Sequence, residues 1–305
     1  MRNAFARAMT ELAHERSDVC LLSGDIGNRM FDRYKEVAPS RFLNCGIAEA
    51  NMMSMAAGMA LSGLRPVVYT ITPFTTTRCL EQIRVGVAYH QAPVVIVGTG
   101  SGLSYSELGA THHSLEDMAI LRSIPNMNVC APADSLELVA QLRQAIASGQ
   151  PTYIRIGKKG EPDLLSDQRT LGIGKANLLK PGQKILLLGI GPILSEALQA
   201  STMLKQQGIE MAVASMSSIK PLDHQFLKQR VAEGYSQWIS LEEHHQKGGL
   251  GSALLEWLSE QQVNIVQLKR MGIVDHFVHQ LGAQSYVREA EGLNAAGIVN
   301  LVQSL

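Results

Sequence analysis

Along most of the chain, short runs of aliphatic and β-branched residues alternate with stretches of helical periodicity. VCLLSG (19–24), RFLN (41–44), RPVVYTI (65–71), PVVIVGTG (93–100), MNVCAPA (127–133) and PTYIRIG (151–157) read as strands. Helical patterns lie between them: AEANMMSMAAGMAL (48–61), TRCLEQIRVGVAYH (77–90), SLEDMAILRSI (114–124) and SLELVAQLRQAIAS (135–148). The opening MRNAFARAMTELAHERSD predicts an amphipathic helix with Phe5, Met9 and Leu12 on one face. Strand runs this apolar require cover on both faces, which predicts a parallel sheet flanked by helices.

The pattern breaks at 158–184, a polar stretch rich in Gly and Pro, and then restarts. KILLLGIG (184–191), IEMAVASM (209–216), YSQWISLEE (235–243) and VNIVQLKRMG (263–272) read as strands. Helices are expected from Leu194 to Gln206, near 223–233, and after the Gly-rich KGGLGS. The expectation is an α/β chain of two doubly wound domains with mainly parallel sheets: residues 1–160, a linker over 161–180, and a smaller domain over 181–305.

Composition narrows the classes. With 27 Lys+Arg against 27 Asp+Glu among 305 residues, nothing favours nucleic acid or a membrane surface. No apolar run is long enough to span a bilayer, and the N-terminal stretch lacks the pattern of a secretory signal. Cys20, Cys45, Cys79 and Cys130 are scattered, with no CxxC pair. They are expected to be reduced thiols in a cytoplasmic protein.

Four segments carry candidate chemistry. GIGPIL (189–194) sits where a dinucleotide fingerprint would, but Leu194 replaces the third Gly and no acid closes the next strand. A tight strand-to-helix turn accounts for it better. EEHHQKGGLGSALLEWL (242–258) offers acids and histidines without further ligands at helical spacing, so a Gly-permitted turn into a helix is preferred to a metal site. GATHHSLED (109–117) follows a strand end, where ligand crevices form in wound sheets; His112 and His113 are either acid–base groups or helix caps. Glu49 opens a helix that is otherwise apolar on nearly all faces, a pattern that predicts burial all round. Its charge suits a helix N-terminus, but a buried carboxylate must be paired, hydrogen-bonded or protonated, and no cation stands nearby in sequence.

These segments together resemble the pyrimidine-binding and C-terminal domains of the thiamine-diphosphate-dependent transketolase family. GIAEANMMSMAAGMALSG resembles the family's Glu-bearing helix, TPFTTTRCLEQIR the segment supplying a stacking aromatic ring, GATHHSLEDMAILRSIPNMNVCAPAD the His-containing loop, and SLEEHHQKGGLGSAL the Gly-rich turn of the C-terminal domain. The resemblance implies that Glu49 accepts a hydrogen bond from the cofactor's pyrimidine nitrogen and promotes deprotonation of the thiazolium carbon. It implies Phe74 stacking on the pyrimidine, Ile47 beside it, and His112 or His113 touching substrate oxygens. Arg155 matches a position that can bind a sugar phosphate, or it makes a strand-end salt bridge.

The family's GDG…N motif, which grips diphosphate through Mg²⁺, has no counterpart; SGDIGN (23–28) lacks the second Gly directly after Asp. The resemblance therefore implies half a site, a partner subunit carrying GDG…N and the Mg²⁺ ligands, and an α2β2 heterotetramer in which this chain also self-associates. Leu108 and Gly100 stand where transketolases carry Asp and His that contact sugar hydroxyls, with Glu107 retained, which puts ordinary pentose phosphates in doubt. The expected activity is ketol transfer between sugars. The alternatives are the β subunit of a 2-oxoacid dehydrogenase or of a 2-oxoacid–aldehyde synthase, a nicotinamide dehydrogenase, and a non-catalytic regulatory partner.

Overall fold

The computed structural model describes residues 1–27, 29–164 and 170–305. Asn28, the last residue of SGDIGN, and the linker residues 165–169 lie outside them.

In the first half, α1 (Arg2–Glu15), β1 (Val19–Ser23), α2 (Asp32–Val37), β2 (Phe42–Asn44), α3 (Glu49–Leu61), β3 (Arg65–Ile71) and α4 (Thr72–Thr75) lead to β4 (Val95–Thr99), α5 (Asp117–Arg122), β5 (Asn128–Cys130), α6 (Ser135–Ser148) and β6 (Thr152–Ile156). The second half runs β7 (Asn177–Lys180), β8 (Ile185–Ile190), α7 (Leu194–Gln206), β9 (Met211–Ser215), β10 (Ser218–Lys220), α8 (His224–Ala232), β11 (Gln237–His245), α9 (Leu250–Glu260), β12 (Gln267–Ile273), α10 (Gln284–Ala290) and α11 (Ala295–Gln303).

Among the described residues these strands form a seven-stranded sheet, β10-β5-β6-β4-β3-β1-β2, and a five-stranded sheet, β12-β11-β8-β9-β7. Each is parallel except for one edge strand: β10 against β5 and β7 against β9. This is the α/β, two-sheet architecture that the alternation of apolar runs predicts. No described helix is long and apolar enough to cross a membrane.

The first sheet is covered on both faces, as its apolar strands require. Val19, Leu21, Val67, Tyr69, Val95 and Val97 pack under Phe5, Met9 and Leu12 of α1. The alternate residues Cys20, Leu22, Val68 and Ile96 pack under Met52, Met53 and Ala56 of α3. Full burial of each Val, Leu, Ile, Phe or Met among them contributes about 1.5–3 kcal/mol. Helix α6 shows the local logic well: the Asp134 carboxylate accepts from the amides of Leu136 and Glu137, and Gly149 ends the helix in a left-handed conformation.

Four features differ from the sequence expectation. TRCLEQIRVGVAYH winds as a short turn at Thr77–Cys79 and then a π-helical stretch at Gln82–Tyr89. Gly86 there comes so close to α3 that a Cβ would lie 3.3 Å from that of Ala57. The second sheet takes in Asn177–Lys180, inside the segment read as linker. Strand β10, from the second half, completes the edge of the first sheet. Helix α3 buries one face only: Met52, Met53, Ala56, Ala57 and Ala60 are covered, whereas Asn51, Ser54, Gly58 and Leu61 are exposed.

Candidate functional site

Strands β1, β3 and β4 run parallel side by side, so the segments leaving their carboxyl ends share one edge of the sheet, where wound sheets place their ligand crevice. The turn after β2 leads to Glu49, α4 carries Phe74, and the loop after β4 carries His112.

Glu49 is 4% exposed in the first turn of α3. The cation it needs comes from the far side of the sequence. Nη1 of Arg78, 29 residues on, donates to Glu49 Oε2 at 3.0 Å. The absence of a cation near Glu49 in sequence is thus corrected by the fold. The Arg78 guanidinium also lies over the Phe74 ring, 4.0 Å from its centroid. The Phe74 ring meets that of His112 edge-on, with centroids 5.3 Å apart, and His112 meets Tyr105 at 6.0 Å. Lys158 lies 4.4 Å from the Tyr105 ring centroid and pairs with Glu107. Glu49, Arg78, Phe74, His112 and Tyr105 therefore form one connected cluster.

His112 is half-buried, with Nδ1 2.9 Å from Thr111 Oγ1. Burial depresses its proton affinity below the usual histidine value, the Arg78 charge adds to this, and Glu107 opposes it. His112 is therefore neutral near pH 7 and able to accept a proton. His113 is 6% exposed, and its Nε2 has no hydrogen-bond partner among the described residues. Ile47 is 81% exposed, on the turn before α3.

Arg155 is not in this cluster. Its guanidinium is buried between the two halves of the chain, donating to Asp117 Oδ1 at 3.2 Å and to the carbonyls of Ser114 and Glu243 at 3.3 and 3.1 Å. Tyr153 Oη donates to the other Asp117 oxygen at 2.6 Å. Of the two arrangements open to it from sequence, the structure contains the salt bridge.

The loop bearing His112 is fastened at several points. The amides of Gly100 and Ser101 donate to the Ile156 carbonyl, and Ser106 Oγ donates to Gly282 O at 2.7 Å. Glu243 Oε1 accepts from Leu103 N at 2.5 Å and from Gln284 Nε2 at 2.7 Å, and Oε2 pairs with Arg288. At Gly100 φ is +83°, and a Cβ would lie 2.1 Å from the Tyr105 ring. Tyr105 fills the space where a side chain at position 100 would project.

The other two motifs are structural. A Cβ on Gly189 would lie 2.5 Å from Leu194 Cδ2, so the GIGPIL turn is filled by its own leucine. Glu242 receives the amides of Leu250 and Gly251 at 2.7 and 2.8 Å, which caps α9 from inside the domain. His244 Nδ1 donates to the His245 carbonyl at 2.7 Å. Sequence reasoning missed Arg78, Tyr105 and Glu243. The available signal for Arg78 was its position four residues after Phe74, one helical turn on.

Glu49, Phe74 and His112 thus meet at the carboxyl edge of a wound sheet, in a chain with a second α/β domain behind it, an arrangement of the class seen in two-domain α/β subunits. Residues 1–161 match the transketolase pyrimidine binding domain and residues 174–298 the transketolase C-terminal domain, and the chain belongs to the transketolase family. It is 36% identical over 300 residues to the B subunit of apulose-4-phosphate transketolase from Phocaeicola vulgatus, covering 97% of this chain and 94% of that one. It is 36% identical over 274 residues to 1-deoxy-D-xylulose-5-phosphate synthase of Syntrophus aciditrophicus, covering 89% of this chain and 42% of that longer one. It superposes on one chain of a structure described as a split-gene transketolase, inactive β4 tetramer, with a TM-score of 0.90, at 33% identity and over 99% and 97% of the two chains.

Proposed function

We propose that this chain is the pyrimidine-binding subunit of a two-subunit, thiamine-diphosphate-dependent transketolase that moves a two-carbon ketol unit from a ketose donor to an aldose acceptor. The observation that carries this reading is Glu49: a carboxylate 4% exposed at a helix start, linked through Arg78 to the face of Phe74. An acceptor beside an aromatic face fits an aminopyrimidine, which offers a hydrogen-bonding edge and a flat ring. Bound thiamine diphosphate supplies a nucleophilic carbon for making and breaking bonds beside a carbonyl. Glu49 accepts a hydrogen bond at the pyrimidine edge, Phe74 supports the ring, and Ile47 reaches toward it from the exposed turn. His112, held neutral, takes a proton from a substrate hydroxyl. His113 and Arg155 hold the loop and the domain seam. In this reading residues 1–160 form one domain and the chain from β7 (Asn177–Lys180) onward the other, acting together in the cytoplasm and in carbohydrate metabolism.

Three things support a partner subunit carrying the GDG…N motif and Mg²⁺ in an α2β2 assembly. The Phocaeicola relative is one of the subunits of a transketolase, the β4 tetramer is inactive, and the longer synthase contains this chain's match in 42% of its length. The exposed Leu61, Val85 and Tyr89 around α3 and the π-helical stretch suit burial between chains. Synthesis from a 2-oxoacid and an aldehyde is the second reading, favoured by the Syntrophus relative.

The test is reconstitution with the diphosphate-binding subunit and a donor screen covering phosphorylated ketoses, free ketoses and pyruvate. Ketose turnover is expected from the complex and none from this chain alone, and Glu49→Ala is expected to lower turnover on the order of 10²–10⁴-fold with folding retained. Turnover by the isolated chain, or near-normal rates for the variant, removes the proposal; pyruvate as sole donor selects the second reading.

A further inference from the structure

Arg78 makes, with one planar group, the two contacts expected of the aminopyrimidine. Its Nη1 is 3.0 Å from Glu49 Oε2, and its guanidinium carbon is 4.0 Å from the Phe74 centroid. A guanidinium is flat, presents N–H donors along its edge and stacks on aromatic faces. An aminopyrimidine is likewise flat and stacks, and its exocyclic amine, or its ring nitrogen when protonated, offers N–H donors along the edge. The guanidinium carbon already lies at van der Waals contact distance from the ring, so a pyrimidine and Arg78 cannot both occupy that face of Phe74.

We propose that Arg78 is a built-in occupant of the pyrimidine seat, holding the carboxylate and the ring until the cofactor's pyrimidine displaces it. The inference rests on reading Glu49 and Phe74 as that seat. The two members of the ion pair differ in a way that permits exchange. Glu49 is 4% exposed and fixed at the start of α3, whereas the Arg78 side chain is 46% exposed on the short turn Thr77–Cys79. The arginine can swing into water without crossing protein, and water replaces its lost contacts; the carboxylate cannot follow. An exchangeable cation keeps the buried acid paired for most of the time that the seat holds no cofactor, which a seat open to nothing but the cofactor would not do. A seat occupied in this way lowers the apparent affinity in proportion to the fraction of molecules in which it is free. With Arg78 in place nine-tenths of the time, removing it strengthens binding about tenfold.

The experiment is calorimetric titration of thiamine diphosphate, with Mg²⁺, into the complex of this chain and its diphosphate-binding subunit. Wild type, Arg78→Ala and Arg78→Lys are compared, each with Glu49 in place and each in a Glu49→Ala background. Arg78→Ala is expected to lower Kd by about three- to thirtyfold. Arg78→Lys, which keeps the charge but loses the stacking plane, is expected to fall between it and wild type. In the Glu49→Ala background, where the arginine has lost its anchor, the gain from Arg78→Ala is expected to shrink to less than about twofold. A Kd for Arg78→Ala equal to or weaker than wild type overturns the proposal while leaving the proposed function standing, as does a gain of the same size in both backgrounds. Failure of the wild-type complex to bind thiamine diphosphate overturns both.

Discussion

Replacing Arg155 by Met separates two roles for this residue, a substrate contact and an internal tie. The guanidinium and its partner Asp117 have side chains 5% and 2% exposed, so solvent cannot replace either. Truncating one member of a buried ion pair costs about 3–5 kcal/mol, because the other charge is left without compensation. The carbonyls of Ser114 and Glu243 also lose their donor, at about 1 kcal/mol each where water does not enter. Tyr153 still donates to Asp117, which moderates the loss. The expected destabilisation is therefore about 4–6 kcal/mol, a large part of the 5–15 kcal/mol typical of a folded domain. Urea denaturation measures it, followed by the fluorescence of Trp238 and Trp257, both buried and stacked at 6.1 Å in the second domain. A midpoint shift on the order of 1–2 M is expected. Adding Asp117→Asn removes the stranded charge and is expected to restore part of the loss, giving a coupling of at least about 1 kcal/mol. Stability within about 1 kcal/mol of wild type, together with a tenfold or greater rise in KM for a phosphorylated sugar, would refute the reasoning and return Arg155 to the substrate.

Gly100→Ala places a methyl where the Tyr105 ring lies, at a φ of +83°. Turnover of the reconstituted complex is expected to fall on the order of tenfold or more as the ring shifts His112, with the circular dichroism spectrum unchanged; full turnover would mean that Tyr105 does not hold the histidine. Burial pushes Glu242 up to about 7, against the helix amides that stabilise its anion, and pushes His244 down to about 4. Glu242 keeps its proton in the fold after the unfolded chain has lost its own, so its contribution is full below the ordinary carboxylate range and is lost as pH rises through about 7. His244 does the reverse: its contribution is full above the ordinary histidine value and is lost as pH falls toward about 4. The two slopes oppose each other. Glu242→Gln is expected to make stability rise with pH over the acid range and His244→Asn to make it fall, in denaturation midpoints measured from pH 4 to 7; parallel slopes in the two variants would contradict the assignment.

The strands were legible because their residues are apolar on both faces, as in β1, where Val19–Ser23 are all buried. Glu49 was legible because a carboxylate interrupts a run of Met and Ala. What escaped the sequence are pairings between distant positions. Arg78 lies 29 residues from its acid, and Glu243 reaches Leu103 across 140 residues. The three residues of β10 carry too little pattern to register as a strand. The π-helical stretch escaped because its buried Ile83 and Val87, four residues apart, suit one face of an ordinary helix equally well. Helix α3 was expected to be covered all round, but in a single chain one face remains open.

Strand β10 reaches back from the second half to close the edge beside β5. On the ribosome, that margin stays open until residue 220 has emerged, well after the last of the first half's own strands. A gene truncated between the two family regions would encode a polypeptide with unpaired backbone along β5, prone to edge-to-edge association. Modular exchange of the N-terminal region among relatives would have to carry this three-residue strand with it.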